Sequence, residues 1–383
     1  MTVVSNKGII LKETPKGIPK VDEHFELVHR TIDIENLKLG ENEVVLKNMY
    51  LSLDPYIRPV ILSNPASVGW EEYSHFKSDA AFTLKHVNKE LLKDTPLNHH
   101  ISLFNVGGLT AYAPLMSIGE PKEGETIFIS TAAGSIGQIV GQIAKIKGLR
   151  VVGSTGSDEK VDFLLNELKF DAAFNYKKIG IDKGLSKHCP NGIDIFYDNV
   201  GGETLDITID HCSRFARIIM CGMTSQYNIT NPEEKYKFKN IDKVFLKQIR
   251  MQGFSAPQYK GTDFEKACRR DLAEWVRAGK LIYKEDVSVG IENVAKGFVD
   301  MLNGKNIGKA ELSKHCPNGI DISLTIMFAR IVIAQYNITN PEEKYKLKHV
   351  ERILLQSIRI QGFTVLQYKG TDIERDCEKD LAE

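Results

Sequence analysis

The chain has 383 residues, of which 42% are apolar and 26% charged, a globular composition that excludes a wholly disordered protein. That length exceeds the roughly 250–300 residues at which single cores stop growing, so two or three domains are expected. Fifty basic residues balance fifty acidic ones, which leaves no global electrostatic case for a nucleic acid or an anionic membrane as partner.

The N-terminal stretch MTVVSNKGIILKETPKG has no signal-peptide core. No apolar run approaches the roughly 18–20 residues of a membrane span, so a cytoplasmic protein is expected. Residues 1–107 contain extended, proline-punctuated segments such as NEVVLKNMYLSLDPYIRP and predict a mostly β domain. Between Glu125 and Val200 short apolar strands alternate with amphipathic helices, the pattern of a parallel sheet covered on both faces. TIFIS, LRVVGST, AAFNY, GIDIFYDNV and FARIIMCGM read as its strands. The helix after TIFIS carries Ile136, Val140, Ile143, Ala144 and Ile146 largely on one face, with Gly148 placed to end it. The next helix starts near Ser157, with Asp158 and Glu159 in its first turn, where the dipole favours acids. A long helix at roughly Asp263–Ala278 places Phe264, Cys268, Leu272, Trp275 and Val276 on one face. VSV and a short helix at Glu292–Asn303 follow. The economical layout is a doubly wound nucleotide domain at 108–255, inserted between the two parts, 1–107 and 256–310, of a β-rich second domain.

Residues 311–383 are a partial duplicate of 185–274. LSKHCPNGIDI, at Leu185–Ile195, returns at Leu312–Ile322 with an offset of 127, and QYNITNPEEKYK, at Gln226–Lys237, returns at Gln335–Lys346 with an offset of 109. The second copy has therefore lost 18 residues, including the counterparts of Asp198-Asn199-Val200-Gly201-Gly202 and Cys221-Gly222. It also ends before the counterpart of Trp275, so it cannot close a domain of its own. Tyr336 repeats the QYN motif without a nucleotide half to face. The six cysteines, at 189, 212, 221, 268, 316 and 377, form neither CxxC pairs nor a dense framework and read as reduced, mostly buried thiols.

The strongest chemical signal is a strand, a glycine-rich turn and a helix at Ala132-Ala133-Gly134-Ser135-Ile136-Gly137. This arrangement exposes backbone N–H groups at a helix start to a pyrophosphate. A tight turn without ligand is the competing reading. NAD binders usually place an acid roughly 20 residues beyond the glycines, on the ribose 2′-OH. Here Gly153-Ser154-Thr155-Gly156-Ser157 ends the strand and Lys160 follows, which favours a 2′-phosphate, although Lys160 also reads as a solvated lysine.

ETIFISTAAGSIGQIVGQIAKIKGLRVVGSTGSDEK, FNYK, DNVGGE, SQYN, LSLDPYIR and GKNIGK occur in an order that resembles one family across most of residues 8–310. It is the zinc-independent branch of the medium-chain dehydrogenase/reductases, the NADP-dependent alkenal, leukotriene and prostaglandin double-bond reductases. The resemblance implies an α/β Rossmann sheet inserted in a GroES-like catalytic domain, and NADP(H) as cofactor. The implied cofactor-binding set is Ala133, Gly134, Ser135, Ile136, Gly137, Ser157, Lys160, Tyr176, Asn199, Cys221 and Gly222. It implies catalytic roles for Tyr227 and Tyr56, a small α,β-unsaturated carbonyl as substrate, and a homodimer. For Tyr227, a packed or capping tyrosine is the alternative reading. The zinc-using relatives' Gly-His-Glu stretch and four-cysteine lobe are absent, and His99, His100, His188 and His211 lack ligand-like spacing with cysteines, so no metal is expected.

Two departures stand out. LSNPASVG joins DPYIRPVI almost directly to Trp70-Glu71-Glu72-Tyr73-Ser74, where the family has several dozen more residues, so the catalytic domain is expected to be truncated. The closing apolar strand expected after Gly308-Lys309 is replaced by the start of the duplicate at Glu311, and Ile322–Ala334 (ISLTIMFARIVIA) is the candidate to replace it. Three functions follow: a reductase of enone double bonds, a protein that binds NADP(H) without turnover or is defective, and a quinone reductase.

Overall fold

The computed structural model describes residues 3–33, 36–38, 44–76, 95–313 and 359–361; Ile322–Ala334 and Tyr336 lie outside them. The N-terminal part is built from β1 (Val3–Leu11), β2 (Phe25–Asp33), β3 (Val44–Lys47), β4 (Tyr50–Ser52), β5 (Gly69–Glu71) and β6 (Tyr73–Phe76). β1 pairs antiparallel with both β2 and β5, and β3 pairs with β6. The shortened connection is a helix at Ile57–Ser63 and a single turn at Pro65–Ser67 that leads straight into β5. β5 delivers Trp70 onto Phe298, with ring centroids 5.5 Å apart, and Phe25 completes the trio. The abbreviated domain thus keeps an apolar core around Ile9, Leu53, Ile61 and Val294.

The central sheet contains β7 (Thr126–Ile129), β8 (Arg150–Thr155), β9 (Ala172–Asn175), β10 (Ile193–Asp198), β11 (Cys212–Met220) and β12 (Arg250–Gly253). These six run parallel in the order β9-β8-β7-β10-β11-β12, the doubly wound arrangement whose strand order reverses between β7 and β10. Ile127, Phe128, Val151, Phe196 and Ile218 are fully buried, as continuous apolar strands covered on both faces must be. Gly148, at φ +78°, ends the helix Ser135–Ile146 in the left-handed conformation a glycine adopts without strain.

The long helix spans Asp263–Arg277 and buries Cys268, Leu272, Ala273 and Trp275 in the same core as Leu109 and Tyr112 of the helix Val106–Pro114. Tyr112 donates its hydroxyl to Asp271 at 2.5 Å, fixing the two helices together. Phe264 departs from the expected buried face. It lies in the helix's first turn, remains 37% exposed and packs edge-on against Tyr259.

β13 (Glu285–Val289) and β14 (Lys309–Ser313) pair parallel, and β14 also pairs antiparallel with β4. This corrects the expectation of a lost closing strand: the first residues of the duplicate, Glu311, Leu312 and Ser313, complete it. Strand alternation explains why the substitution works, since Ala310 and Leu312 both enter the apolar core. The cost falls on Glu311. Its side chain is fully buried with neither carboxylate oxygen hydrogen-bonded, because nearby Asn98 donates to Glu285 instead. A last strand, β15 (Arg359–Gln361), lies antiparallel on the outer edge of β12.

Burial pushes Glu311 up to about 7, and burial with the adjacent Glu311 pushes Glu285 up to about 8. A carboxyl whose folded pKa is raised keeps a proton that the unfolded chain has already released. Its stability contribution is therefore complete below the unfolded value of 4.5 and is lost as pH rises through about 7. Glu311→Leu should raise stability at pH 8 by about 1–3 kcal/mol, the cost of an unsatisfied buried polar group. Denaturant melts should also show a shallower decline between pH 5 and 8 than in the parent; equal slopes would contradict this account.

Candidate active site

The chain turns sharply after β7. Thr131 takes φ +52°, Ala132 N–H bonds the Ser154 carbonyl at 3.0 Å, and Gly134 N–H bonds back to Thr131 at 3.0 Å. The helix ladder starts with Gln138 N–H on the Gly134 carbonyl at 3.1 Å. The amides of Ser135, Ile136 and Gly137 therefore precede the ladder and face outward at the positive end of a 12-residue helix. Gly137 is sterically required: a Cβ there would lie 2.6 Å from both Ala132 Cα and the Thr131 carbonyl oxygen. From the far side, Gly308 N–H donates to the Ala133 carbonyl at 2.8 Å, so the GKNIGK segment closes over the turn.

Opposite this turn, Asp198 ends β10 and is fully buried. Its carboxylate accepts from the Ser130 hydroxyl at 3.1 Å and from the amides of Val200 and Gly201 at 3.0 Å each. Asn199 completes the knot, its backbone N–H on Ser130 Oγ at 2.8 Å and its side-chain amide on the Ser130 carbonyl at 2.7 Å. Burial outweighs these donors and pushes Asp198 up to about 6. The two loops that face each other across the strand-order reversal are thus tied directly to one another.

The end of β8 carries no acid. Thr155 and Gly156 line the opening, while Ser157 caps the following helix by accepting the Lys160 N–H and does not line it. Lys160 Nζ donates to the Gly304 carbonyl at 2.6 Å, so it is a buried lysine rather than a solvated one. Burial, and then the neighbouring Lys177 charge, hold its pKa below the ordinary lysine range. Lys177 is the residue that reading by motif missed. A Cβ at Gly156 would meet Lys177 Cε at 3.2 Å and Tyr176 OH at 3.5 Å, so both side chains close over this strand end.

At the other end, Tyr227 accepts the Met223 N–H at 3.2 Å, and among the described residues no acceptor takes its own hydroxyl proton. Its oxygen would lie 3.4 Å from a Cβ at Gly222, which itself lies close to Asn199. Burial pushes the Tyr227 phenol up to about 12 and the Cys221 thiol to about 12, so both stay protonated at neutral pH. Tyr56, at the start of the helix Ile57–Ser63, is also raised, by burial and then by the charge of Asp54. Arg58 is a second residue the motifs did not single out. Fully buried, it holds Asn228 through Nε at 2.8 Å and the carbonyls of Pro15 and Gly17 through a terminal nitrogen at 2.9 and 2.7 Å. It thereby anchors the Tyr227 loop to the N-terminal domain.

One cleft of about 760 Å³ joins these parts, lined by every expected site residue except Ser157. A family model described as zinc-binding dehydrogenase matches residues 135–273. The 2-alkenal reductase (NADP(+)-dependent) of Nicotiana tabacum is 37% identical over 80% of this chain and 96% of its own length. Prostaglandin reductase 1 of Bos taurus is 36% identical over 80% of this chain and 99% of its own. The chain belongs to the zinc-independent, double-bond-reductase branch of the medium-chain dehydrogenase/reductase family.

A solved member of similar architecture is CurA from Vibrio vulnificus in complex with NADPH, 29% identical, with a TM-score of 0.69 over 81% of this chain and all of that one. The alignment with the tobacco reductase runs over 343 positions yet covers only 80% of a 383-residue chain, about 306 residues. Roughly three dozen positions of this reductase family thus have no counterpart here, in keeping with the short connection between Ile61 and Trp70. Among the described residues, no group of three or more His, Cys, Asp or Glu side chains is placed to hold a metal, and no helix is long and apolar enough to cross a membrane.

The outward amides, the Gly137 close approach and the lysine pair at the β8 end fit the dinucleotide of this family, NADP(H). Gly137→Ala should weaken NADPH binding at least about tenfold, a loss of about 1.4 kcal/mol, in a fluorescence titration. An unchanged dissociation constant would place the pyrophosphate elsewhere.

Proposed function

We propose that this chain reduces the carbon–carbon double bond of small α,β-unsaturated carbonyl compounds with NADPH as reductant, in the cytoplasm. The observation that carries the reading is the Tyr227 hydroxyl, with its proton uncommitted, in the same cleft as an intact glycine turn. The amides of Ser135, Ile136 and Gly137 would hold the pyrophosphate, with Ala133 and Gly134 letting the backbone come close. Lys160, Lys177 and Tyr176 would surround the 2′-phosphate, while Asn199, Cys221 and Gly222 would border the nicotinamide end. Ser157 supports this set indirectly, by starting the helix that carries Lys160.

The cofactor held by these residues would supply hydride for the substrate β-carbon, and negative charge would then develop on the carbonyl oxygen. Tyr227 is suited to meet that charge: its phenol is neutral, and its oxygen is positioned by the Met223 amide. Tyr56 lines the same cleft and would wall its substrate side. Arg58 acts at one remove, by holding Asn228 beside Tyr227. The GKNIGK segment lines the same cleft, bonded to the glycine turn through Gly308 and to Lys160 through Gly304.

Two outcomes test the proposal. Tyr227→Phe should lower kcat for an enone by about 10²–10³, the usual effect of removing one oxyanion donor, with NADPH affinity unchanged; retained turnover would remove the residue from the mechanism. NADPH should be preferred over NADH, and the Lys160→Ala/Lys177→Ala double variant should lose most of that preference. Equal affinities in the parent would refute the 2′-phosphate assignment.

A further inference from the structure

The duplicate cannot build a second nucleotide site, because it lacks the counterparts of Asp198–Gly202 that tie the switch-point loops together. What it keeps without a gap is the block that includes the edge strand of the sheet: Ile249-Arg250-Met251-Gln252-Gly253-Phe254 returns as Ile358-Arg359-Ile360-Gln361-Gly362-Phe363. In the structure this copy, β15, pairs with its own original. Arg250 is opposite Gln361, Met251 opposite Ile360, and Gln252 opposite Arg359. With the offset of 109, residues 361, 360 and 359 are the copies of 252, 251 and 250. The pairing is therefore two-fold symmetric about the Met251–Ile360 pair. If β15 were exchanged for β12 of another molecule, every partner in the ladder would keep its place, which is the register of an isologous dimer.

We infer that the duplicated tail is an intramolecular stand-in for a second copy of this chain, occupying the β12 edge through Arg359–Gln361 and keeping the protein monomeric. An exposed edge strand is a template for pairing with another chain, and proteins cover such edges. β12 has β11 on one side and β15 on the other, so without β15 its outer edge would be unpaired. Ser313 and Arg359 are separated by 45 residues, a contour length of about 150 Å if fully extended. Tethering raises the tail's effective concentration to the millimolar range, above that of a free second molecule. The homodimer implied by the family resemblance is thus replaced, in this chain, by a pairing within one molecule.

Sedimentation velocity and residue-resolved hydrogen exchange on the full chain test this together, independently of any nucleotide or substrate. A species of 43.0 kDa whose residues 250–252 exchange slowly on both sides of β12 is expected. A dimeric parent would overturn the inference, because a second molecule would then hold the edge. So would a monomer with fast-exchanging outward amides, because the tail would then not be seated. Arg359→Pro/Ile360→Pro removes whichever of these two adjacent amides faces β12 and breaks the tail strand without touching β12. It should retain the parent's melting transition and form a concentration-dependent dimer of twice the mass; a folded variant that stays monomeric at the highest concentration would refute the proposal.

Discussion

The site rests on one buried carboxylate. Asp198 accepts the Ser130 hydroxyl and the amides that begin the Asn199–Gly202 loop, so the ends of β7 and β10 are fixed to each other where the strand order reverses. Removing such an acceptor would leave buried donors unpaired at about 1–3 kcal/mol each. It would also free the loops that shape the crevice from both sides. Gly201 and Gly202, at φ +65° and +54°, let the chain fold back over the carboxylate so closely. The duplicate lost this element, and with it any prospect of a second crevice.

The abbreviated β domain is held to that crevice by buried cations rather than by a complete barrel. Lys309, 1% exposed, donates to the Leu53 carbonyl at 2.5 Å and to Asp54 at 3.0 Å, joining the closing strand to the turn before Tyr56. Arg58 makes the corresponding tie to the Tyr227 loop. Lys309 is paired with Asp54, as a buried charge must be. Arg58 is instead held by neutral oxygens, and its other terminal nitrogen has no hydrogen bond among the described residues. Glu311 carries the larger cost, because the duplication junction set a carboxylate into a fully buried position with neither oxygen hydrogen-bonded. Geometry at the reacting end therefore depends on a few long-range contacts that survive the loss of roughly three dozen family positions.

The nucleotide half was legible because its signals are local. Strand alternation, the Ala132–Gly137 turn and the Gly148 stop each lie within a few residues of what they determine. The missed features join distant segments: Arg58 and Asn228 are 170 positions apart, and Lys160 meets the Gly304 carbonyl 144 positions away. Ser157 could be read as a cap or as a phosphate ligand, and the structure gives it the cap. The closing strand was misread for a different reason. Residues 309–313 look polar, but only alternate positions need be apolar, and Ala310 and Leu312 suffice. No local pattern signals that a copied strand will pair with its original.

The central claim is that a complete nucleotide half and a shortened substrate half still meet at one phenol and move a hydride. Full-length protein given NADPH deuterated at the transferring position and an enone, with the product examined by NMR, tests this directly. The account predicts deuterium at the β-carbon of a saturated ketone or aldehyde. Tight NADPH binding with no label in the product would contradict it.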